Sequence, residues 1–202
     1  MTLSGFVGLV LEPDAATIDA AYALAAAVLP TDAEQILAPG ALPRVTLTQC
    51  ALRDASRASI AALLADLDAR LAGRTIPLSR VVPFTGCFVF WCVDDAAPER
   101  TLLQTAHERA LTLADDVLDV TANEAVVAGT ARATGNDPDL VANARRHGYA
   151  FVRDRYLPHI TLGFAPAAAA ALAPRDHLHR MRVERVVLAR LGRLGLVDEV
   201  LM

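Results

Sequence analysis

Residues 157–164, LPHITLGF, decide the fold because residues 42–49, LPRVTLTQ, repeat their pattern in the same frame. Each stretch carries a proline ahead of its alternating part, and proline is tolerated at the first residue of a strand because it lacks a backbone N–H. Side chains two positions apart in a strand lie on the same face. His159 and Thr161 should therefore share one face, as should Arg44 and Thr46. We predict two short strands, each with one polar face and one apolar face that packs on the core.

The length and composition predict a single domain over residues 1–202. The 202 residues are 54% hydrophobic, which is enough to bury a core. Much of this fraction is alanine, so the core should come from the Leu, Val, Ile and Phe positions. The longest apolar run, residues 20–29, is shorter than the roughly 20 residues that span a bilayer. No Lys or Arg precedes the first apolar segment, so we expect no secretory signal and a soluble, cytoplasmic protein.

Charge is unevenly distributed along the chain. The formal net charge is -4, and every basic residue other than histidine is an arginine. Residues 141–193 nevertheless hold ten arginines against three acidic residues, and His159 lies within this basic region. A locally positive site in an acidic protein favours a small anion or an RNA end over a long duplex. The alternative is an arginine-rich face that contacts only solvent.

Helix and strand patterns are interspersed, and the two expected hairpins exclude a wholly parallel sheet. We therefore predict the α+β class. Residues 122–137 show no clear period and are interpreted as a loop or an irregular edge. Cys50, Cys87 and Cys92 are expected to be buried free thiols, and Trp91 to be a core residue. The expected strands are 4–11, the two motif strands, 75–84, 87–93, 183–191 and 194–201, with a turn at residues 85–86. The expected helices begin after residue 14, after residue 54 or 56, at about residue 98 (ending at 118), at residues 137–139 and at about residue 166.

Two motifs about 115 residues apart carry a resemblance to a known family. His159-Ile160-Thr161-Leu162 follows Pro158, and Arg44-Val45-Thr46-Leu47 follows Pro43. The pair resembles the repeated His-hydrophobic-Thr/Ser-hydrophobic motifs of the 2H phosphoesterase superfamily, which includes 2'-5' RNA ligase-like proteins and cyclic phosphodiesterases. The second motif matches in full, and the first has arginine in place of histidine. The resemblance implies a bilobal α+β fold, with two antiparallel sheets and flanking helices related by a pseudo-twofold around a central groove.

The resemblance also implies a metal-free reaction without a cofactor. Hydrolysis of a cyclic phosphodiester needs a base, an acid, and donors that hold the developing negative charge. In this pattern the two histidines exchange protons and the two threonines donate hydrogen bonds. The catalytic candidates here are His159, Thr161 and Thr46, and the substrate-binding candidates are Arg44, Tyr156, Arg155 and Gln49.

Arginine at position 44 alters the expected chemistry, because its guanidinium stays protonated at neutral pH. It can clamp a phosphate but cannot act as a general base. Three interpretations stay open: altered or slowed hydrolysis or ligation of 2',3'-cyclic or 2'-5' phosphodiesters, phosphate binding without turnover, and an unrelated function. The expected partner is a nucleotide or RNA terminal phosphodiester, with no metal, no membrane and a monomeric chain. Gln49 lies on the apolar side by strict alternation, so its contact with substrate requires a twist or a bulge.

Overall fold

The computed structural model describes residues 3–31, 33–55, 57–85, 87–115, 117–192 and 196–202. Gly86 in the turn expected between residues 84 and 87, Ser56 as a possible cap of the second helix, and the start of the predicted last strand, residues 194–195, lie outside the described residues. The strands are β1 (Leu3–Pro13), β2 (Gln35–Ile36), β3 (Val45–Ala55), β4 (Thr75–Phe84), β5 (Phe88–Val93), β6 (His159–Phe164), β7 (Arg175–Leu191) and β8 (Val197–Val200). The α-helices are α1 (Ala15–Val28), α2 (Arg57–Leu71), α3 (Glu99–Ala110), α4 (Val120–Ala133), α5 (Pro138–His147) and α6 (Pro166–Ala171), with 3-10 turns at Leu111–Ala114 and Arg153–Arg155.

The strands form one hydrogen-bonded network in the order β1-β3-β6-β5-β4-β7-β8. All pairings among the described strands are antiparallel. Strand β7 is 17 residues long, and it pairs with β4 through residues 175–182 and with β1 through residues 183–190. It therefore connects β4 and β1, the strands at opposite ends of the order that leads from β1 to β4. The predicted α+β class with antiparallel strands and flanking helices is confirmed.

The core lies between the apolar side of the strands and the helices. Trp91 is fully buried, and its Nε1 donates a 2.9 Å hydrogen bond to the carbonyl of His177. The core interpretation of Trp91 is therefore confirmed. Val45 and Ile160, the apolar residues at the centre of the two motifs, are also fully buried. Burial of a large apolar side chain stabilises a fold by about 1.5–3 kcal/mol, so these positions anchor both motif strands.

Two predictions of secondary structure were wrong. The helix expected over residues 98–118 ends as α3 at Ala110 and continues as a 3-10 turn. The supposed loop at residues 122–137 is mostly helix α4, whose first turn is capped by Asp119 accepting the Ala122 N–H at 3.0 Å. Among the described side chains of α4 only Asn123 is buried, so the helix has no apolar stripe for a periodicity to reveal.

The cysteines and the last long strand also differ from expectation. Cys50 and Cys92 are buried as predicted, but Cys87 is only half-buried. Strand β7 begins at Arg175, eight residues before its predicted start, because its polar first half pairs with β4 while remaining largely exposed. Among the described residues, no helix is long and apolar enough to cross a membrane.

Candidate functional site

The two motif strands meet at a single residue pair. Strand β3 pairs with β6 at Val45 and Ile160. Extending this antiparallel register by one residue sets Thr46 opposite His159 and Arg44 opposite Thr161. All four of these polar residues line one cavity, whereas Val45 and Ile160 are buried in the core. The polar and apolar faces are therefore divided as the alternating pattern predicted.

The cavity has a volume of about 580 Å³. This value lies within the range of about 300–1,000 Å³ that is typical of pockets enclosing a small molecule. Its walls come from strands β1 and β3 to β6, from the second half of α4 and from residues 149–151. Elements from before the first motif and from between the two motifs thus enclose the polar residues of the motifs.

A bulge in β3 gives Gln49 access to the cavity. Thr48 pairs with Leu9 and Thr46 pairs with Val10, so the intervening Leu47 has no partner of its own in β1. One extra residue in a strand reverses the alternation beyond it. Gln49 consequently lines the same cavity as Thr46. Of the twist or bulge that the sequence allowed, the structure has the bulge, and the contact of Gln49 with substrate stays a prediction.

His159 is held by its own segment and by an aromatic neighbour. Its Nδ1 lies 2.6 Å from the carbonyl oxygen of Leu157, and its ring stacks on Phe90 with centroids 3.5 Å apart. A carbonyl can only accept, so Nδ1 carries the proton and Nε2 holds the lone pair of the neutral ring. Burial, reinforced by the positive charge of Arg44, lowers the pKa of His159 to about 4. The ring is thus a neutral proton acceptor at pH 7.

Arg44 supplies the positive charge of the cavity. Burial lowers its pKa to about 10, which leaves it protonated at neutral pH. Tyr149 is its neighbour, and burial raises the pKa of that phenol to about 12. Among the lining residues that the structure describes there is no carboxylate and no second arginine. The described lining is therefore suited to an anion of one charge.

Two substrate-binding candidates lie away from the cavity lining. Tyr156 is only 4% exposed, its hydroxyl donates to the carbonyl of Thr46 at 3.1 Å, and its ring lies flat against His107. Its predicted contact with substrate is therefore corrected, because the ring packs on His107 and the hydroxyl bonds to the Thr46 carbonyl. Arg155 is exposed in the turn before β6, where its Nε lies 3.9 Å from Asp154. It could contact only a ligand that extends beyond the cavity.

His107 links β3 to the turn before β6 and is not among the residues that line the cavity. This fully buried ring lies with Nδ1 2.5 Å from the Leu47 carbonyl, and its Nε2 accepts the Arg153 N–H at 2.8 Å. Burial lowers its pKa to about 4. Arg153 has a left-handed backbone with φ of 58°, a conformation that non-glycine residues adopt infrequently. The neutral His107 therefore ties β3 to the segment that leads into His159.

The cavity also collects every phenylalanine of the chain, which the sequence did not indicate. Phe84 stacks on Phe90 at 4.6 Å and meets Phe151 edge-on at 4.9 Å. Phe88 lies 5.9 Å from Phe90 and 5.0 Å from Phe164. The positions come from distant parts of the chain, so no local motif could reveal the cluster. The six residues are Phe6, Phe84, Phe88, Phe90, Phe151 and Phe164.

No group of three or more His, Cys, Asp or Glu side chains in the described part of the chain is placed to hold a metal ion. His177 and His179 are two residues apart in the sequence, as two ligands on one strand face would be. The Nε2 atom of His179 lies 2.9 Å from the hydroxyl of Thr17. Its ring thus contacts the start of α1 instead of the cavity.

Comparison with known proteins identifies the fold. No family model matches the sequence, and no curated protein matches it. Among solved structures, TT0787 of Thermus thermophilus aligns over 98% of this chain and 95% of its own, with 19% identity and a TM-score of 0.61. E. coli LigT complexed with NADP+ aligns over 99% and 96%, with 15% identity and a TM-score of 0.53. A phosphoesterase aligns over 99% and 97%, with 15% identity and a TM-score of 0.55. The chain therefore has the fold of LigT and of this phosphoesterase over nearly its whole length.

Proposed function

We propose that the cavity binds a 2',3'-cyclic or 2'-5' phosphodiester of a nucleotide or RNA end, and that the protein hydrolyses or forms that bond slowly. One observation carries this proposal: Arg44, Thr46, His159 and Thr161 come from motifs far apart in sequence and line the same cavity. The fold shared with LigT and a phosphoesterase supports the same chemistry.

The charges of the site suit a diester. A phosphodiester carries one negative charge, and Arg44 offers one positive charge beside the neutral His159. Guanidinium groups bind phosphate oxygens through two parallel hydrogen bonds. The hydroxyls of Thr46 and Thr161 add donors for the charge that develops on the phosphoryl oxygens.

The reaction divides into a proton transfer that His159 performs and one that Arg44 cannot perform. His159 Nε2 takes a proton from water while the water oxygen bonds to phosphorus. The bond from phosphorus to the leaving ribose oxygen then breaks, and that oxygen takes its proton from solvent because Arg44 retains its own. Acid or base catalysis by one group contributes about 10²–10⁴-fold, so we expect turnover to be slower by about that factor than with two histidines.

A second function, phosphate binding without turnover, is favoured by the same arginine. Arg44 is half-buried and cationic, which serves a phosphate clamp better than a proton-transfer group. In this case His159 orients the ligand and no bond is broken.

The experiment is an assay of cytidine 2',3'-cyclic phosphate hydrolysis by the wild type, His159→Ala and Arg44→His, with His147→Ala as a control outside the cavity. Turnover in the wild type that disappears in His159→Ala supports altered catalysis. An inactive wild type that binds the ligand and gains turnover in Arg44→His supports the binding function. Absence of both binding and turnover in every variant rejects the proposal.

A further inference from the structure

We infer that the cavity contains a ring subsite, which accepts one flat aromatic ring of a ligand that carries a single phosphodiester. The inference rests on the proposed phosphodiester site and adds the size and shape of the group that accompanies the phosphate. The ring subsite is bordered by the half-buried phenylalanines 84, 88, 151 and 164 and by one face of helix α4.

The phenylalanines keep exposed surface that a ligand ring can cover. Phe90 is only 6% exposed and packs on His159, so it has little surface left for a ligand to cover. Phe84, Phe88, Phe151 and Phe164 are each partly exposed while remaining in ring contact with one another or with Phe90. Stacking on such rings tolerates any planar group, because every base has a π-face. The apolar wall thus selects a flat ring without specifying its edge.

Helix α4 leaves the room that such a ring needs. Gly129, Thr130, Ala133 and Thr134 line the cavity from one face of this helix. All are small, and a Cβ built on Gly129 meets no heavy atom within 4 Å. Glycine in a helix interior lowers the stability of the helix by about 1 kcal/mol relative to alanine. At position 129 the chain nevertheless has glycine, with open space where a side chain would lie. The missing side chain leaves volume for the ligand.

The charge of the lining limits the ligand to one phosphate. Arg44 is the one permanently charged side chain among the described lining residues. A second phosphate of a longer strand would therefore find no further cation among the described lining residues. Together with the volume of about 580 Å³, this favours a nucleoside 2',3'-cyclic monophosphate over an oligonucleotide end.

The first test is equilibrium titration of four probes at pH 7, in His159→Ala if the wild type consumes the ligand. The probes are adenosine 2',3'-cyclic phosphate, the methyl riboside 2',3'-cyclic phosphate that lacks the base, adenosine, and a trinucleotide with a 2',3'-cyclic phosphate end. The methyl riboside should bind about 5- to 150-fold more weakly than the adenosine ester, and the trinucleotide no more tightly. Equal binding of the first two probes, or tighter binding of the trinucleotide, overturns the ring subsite.

The second test places a larger side chain of helix α4 in the ring subsite. Gly129→Leu should weaken the adenosine ester while leaving the methyl riboside ester unchanged, and Gly129→Ala should have a smaller effect in the same direction. Ala128→Leu adds the same side chain at an exposed position of α4 and should change neither affinity. Thermal unfolding establishes that each variant is folded. Unchanged binding of the adenosine ester by folded Gly129→Leu contradicts the inference.

The two proposals fail in different ways. Adenosine binding to which the phosphate adds nothing rejects the phosphodiester site and retains the ring subsite. Binding of both cyclic phosphates to which the base adds nothing rejects the ring subsite and retains the phosphodiester site. Absence of binding by all four probes rejects both.

Discussion

The two motif strands occupy matching positions in the sheet, but they present different chemistry to the cavity. On the β6 side, the carbonyl of Leu157 and the ring of Phe90 hold a neutral imidazole with a defined tautomer. On the β3 side, the corresponding residue is Arg44, a half-buried cation beside Tyr149. Equivalent places in a repeated pattern therefore do not imply equivalent roles. One strand offers a proton acceptor and the other a fixed charge.

The sharpest way to break this comparison is to exchange the two residues. The double variant Arg44→His/His159→Arg keeps one histidine and one arginine. We expect it to lose about 10²–10⁴-fold in cyclic phosphate turnover, because a histidine at position 44 lacks the contacts with Leu157 and Phe90 that orient His159. The measurement is kcat for cytidine 2',3'-cyclic phosphate. Turnover equal to that of the wild type would show that the two sides are interchangeable.

A second test removes the residue that joins the two sides. His107→Ala should destabilise the fold by about 1–3 kcal/mol for each of the two backbone groups, the Leu47 carbonyl and the Arg153 N–H, that lose a buried partner. Chemical denaturation measures the free energy of unfolding. His147→Ala is the matched control, because His147 is also buried but its Nδ1 makes no hydrogen bond. An equal loss in both variants would contradict the joining role.

The same variant has a pH signature. Since the folded-state pKa of His107 is about 4 against an ordinary value of 6.5, the unfolded chain takes up a proton before the folded chain does. The free energy of unfolding should therefore fall as the pH is lowered from about 6.5 to about 4. This dependence should be shallower in His107→Ala, and urea denaturation at intervals across the range measures it.

A smaller effect is expected from removing the charge on the β3 side. Arg44→Met should weaken the binding of a cyclic phosphodiester by about 1.5–3 kcal/mol, the usual value of a hydrogen bond to a charged group. Binding should also lose most of its dependence on salt. Titration at low and at high salt is the measurement, with adenosine as the uncharged control ligand. Unaltered affinity would place the phosphate elsewhere in the cavity.

The smallest effect sharpens the corrected role of Tyr156. Tyr156→Phe removes the hydrogen bond to the Thr46 carbonyl but keeps the ring against His107. We expect a loss of about 0.5–1.5 kcal/mol in the free energy of unfolding and unchanged affinity for adenosine 2',3'-cyclic phosphate. A large loss of affinity with unchanged stability would restore Tyr156 as a ligand contact.

The sequence predicted those parts of the site that depend on local alternation. The polar faces of both motif strands follow from a period of two, and the paired motifs indicated which strands face each other. The bulge at Leu47 could be stated only as a condition for Gln49, because a bulge depends on the partner strand. The wall formed by α4 was missed because the alanines and valines of this helix form no buried apolar stripe. The phenylalanine cluster was missed because its members meet only through the tertiary fold.

The length of β7 has a consequence for how a ligand enters. Strand β7 is hydrogen-bonded to β4 at one end and to β1 at the other. Any motion that separated β4 from β1 would therefore break backbone hydrogen bonds of β7. Helix α4 has a different attachment, because the amide of its buried Asn123 bonds to the Ala144 carbonyl of α5. We expect α4 and α5 to move away from the cavity together when a ligand enters. Their backbone amides should exchange with solvent deuterium before those of β7.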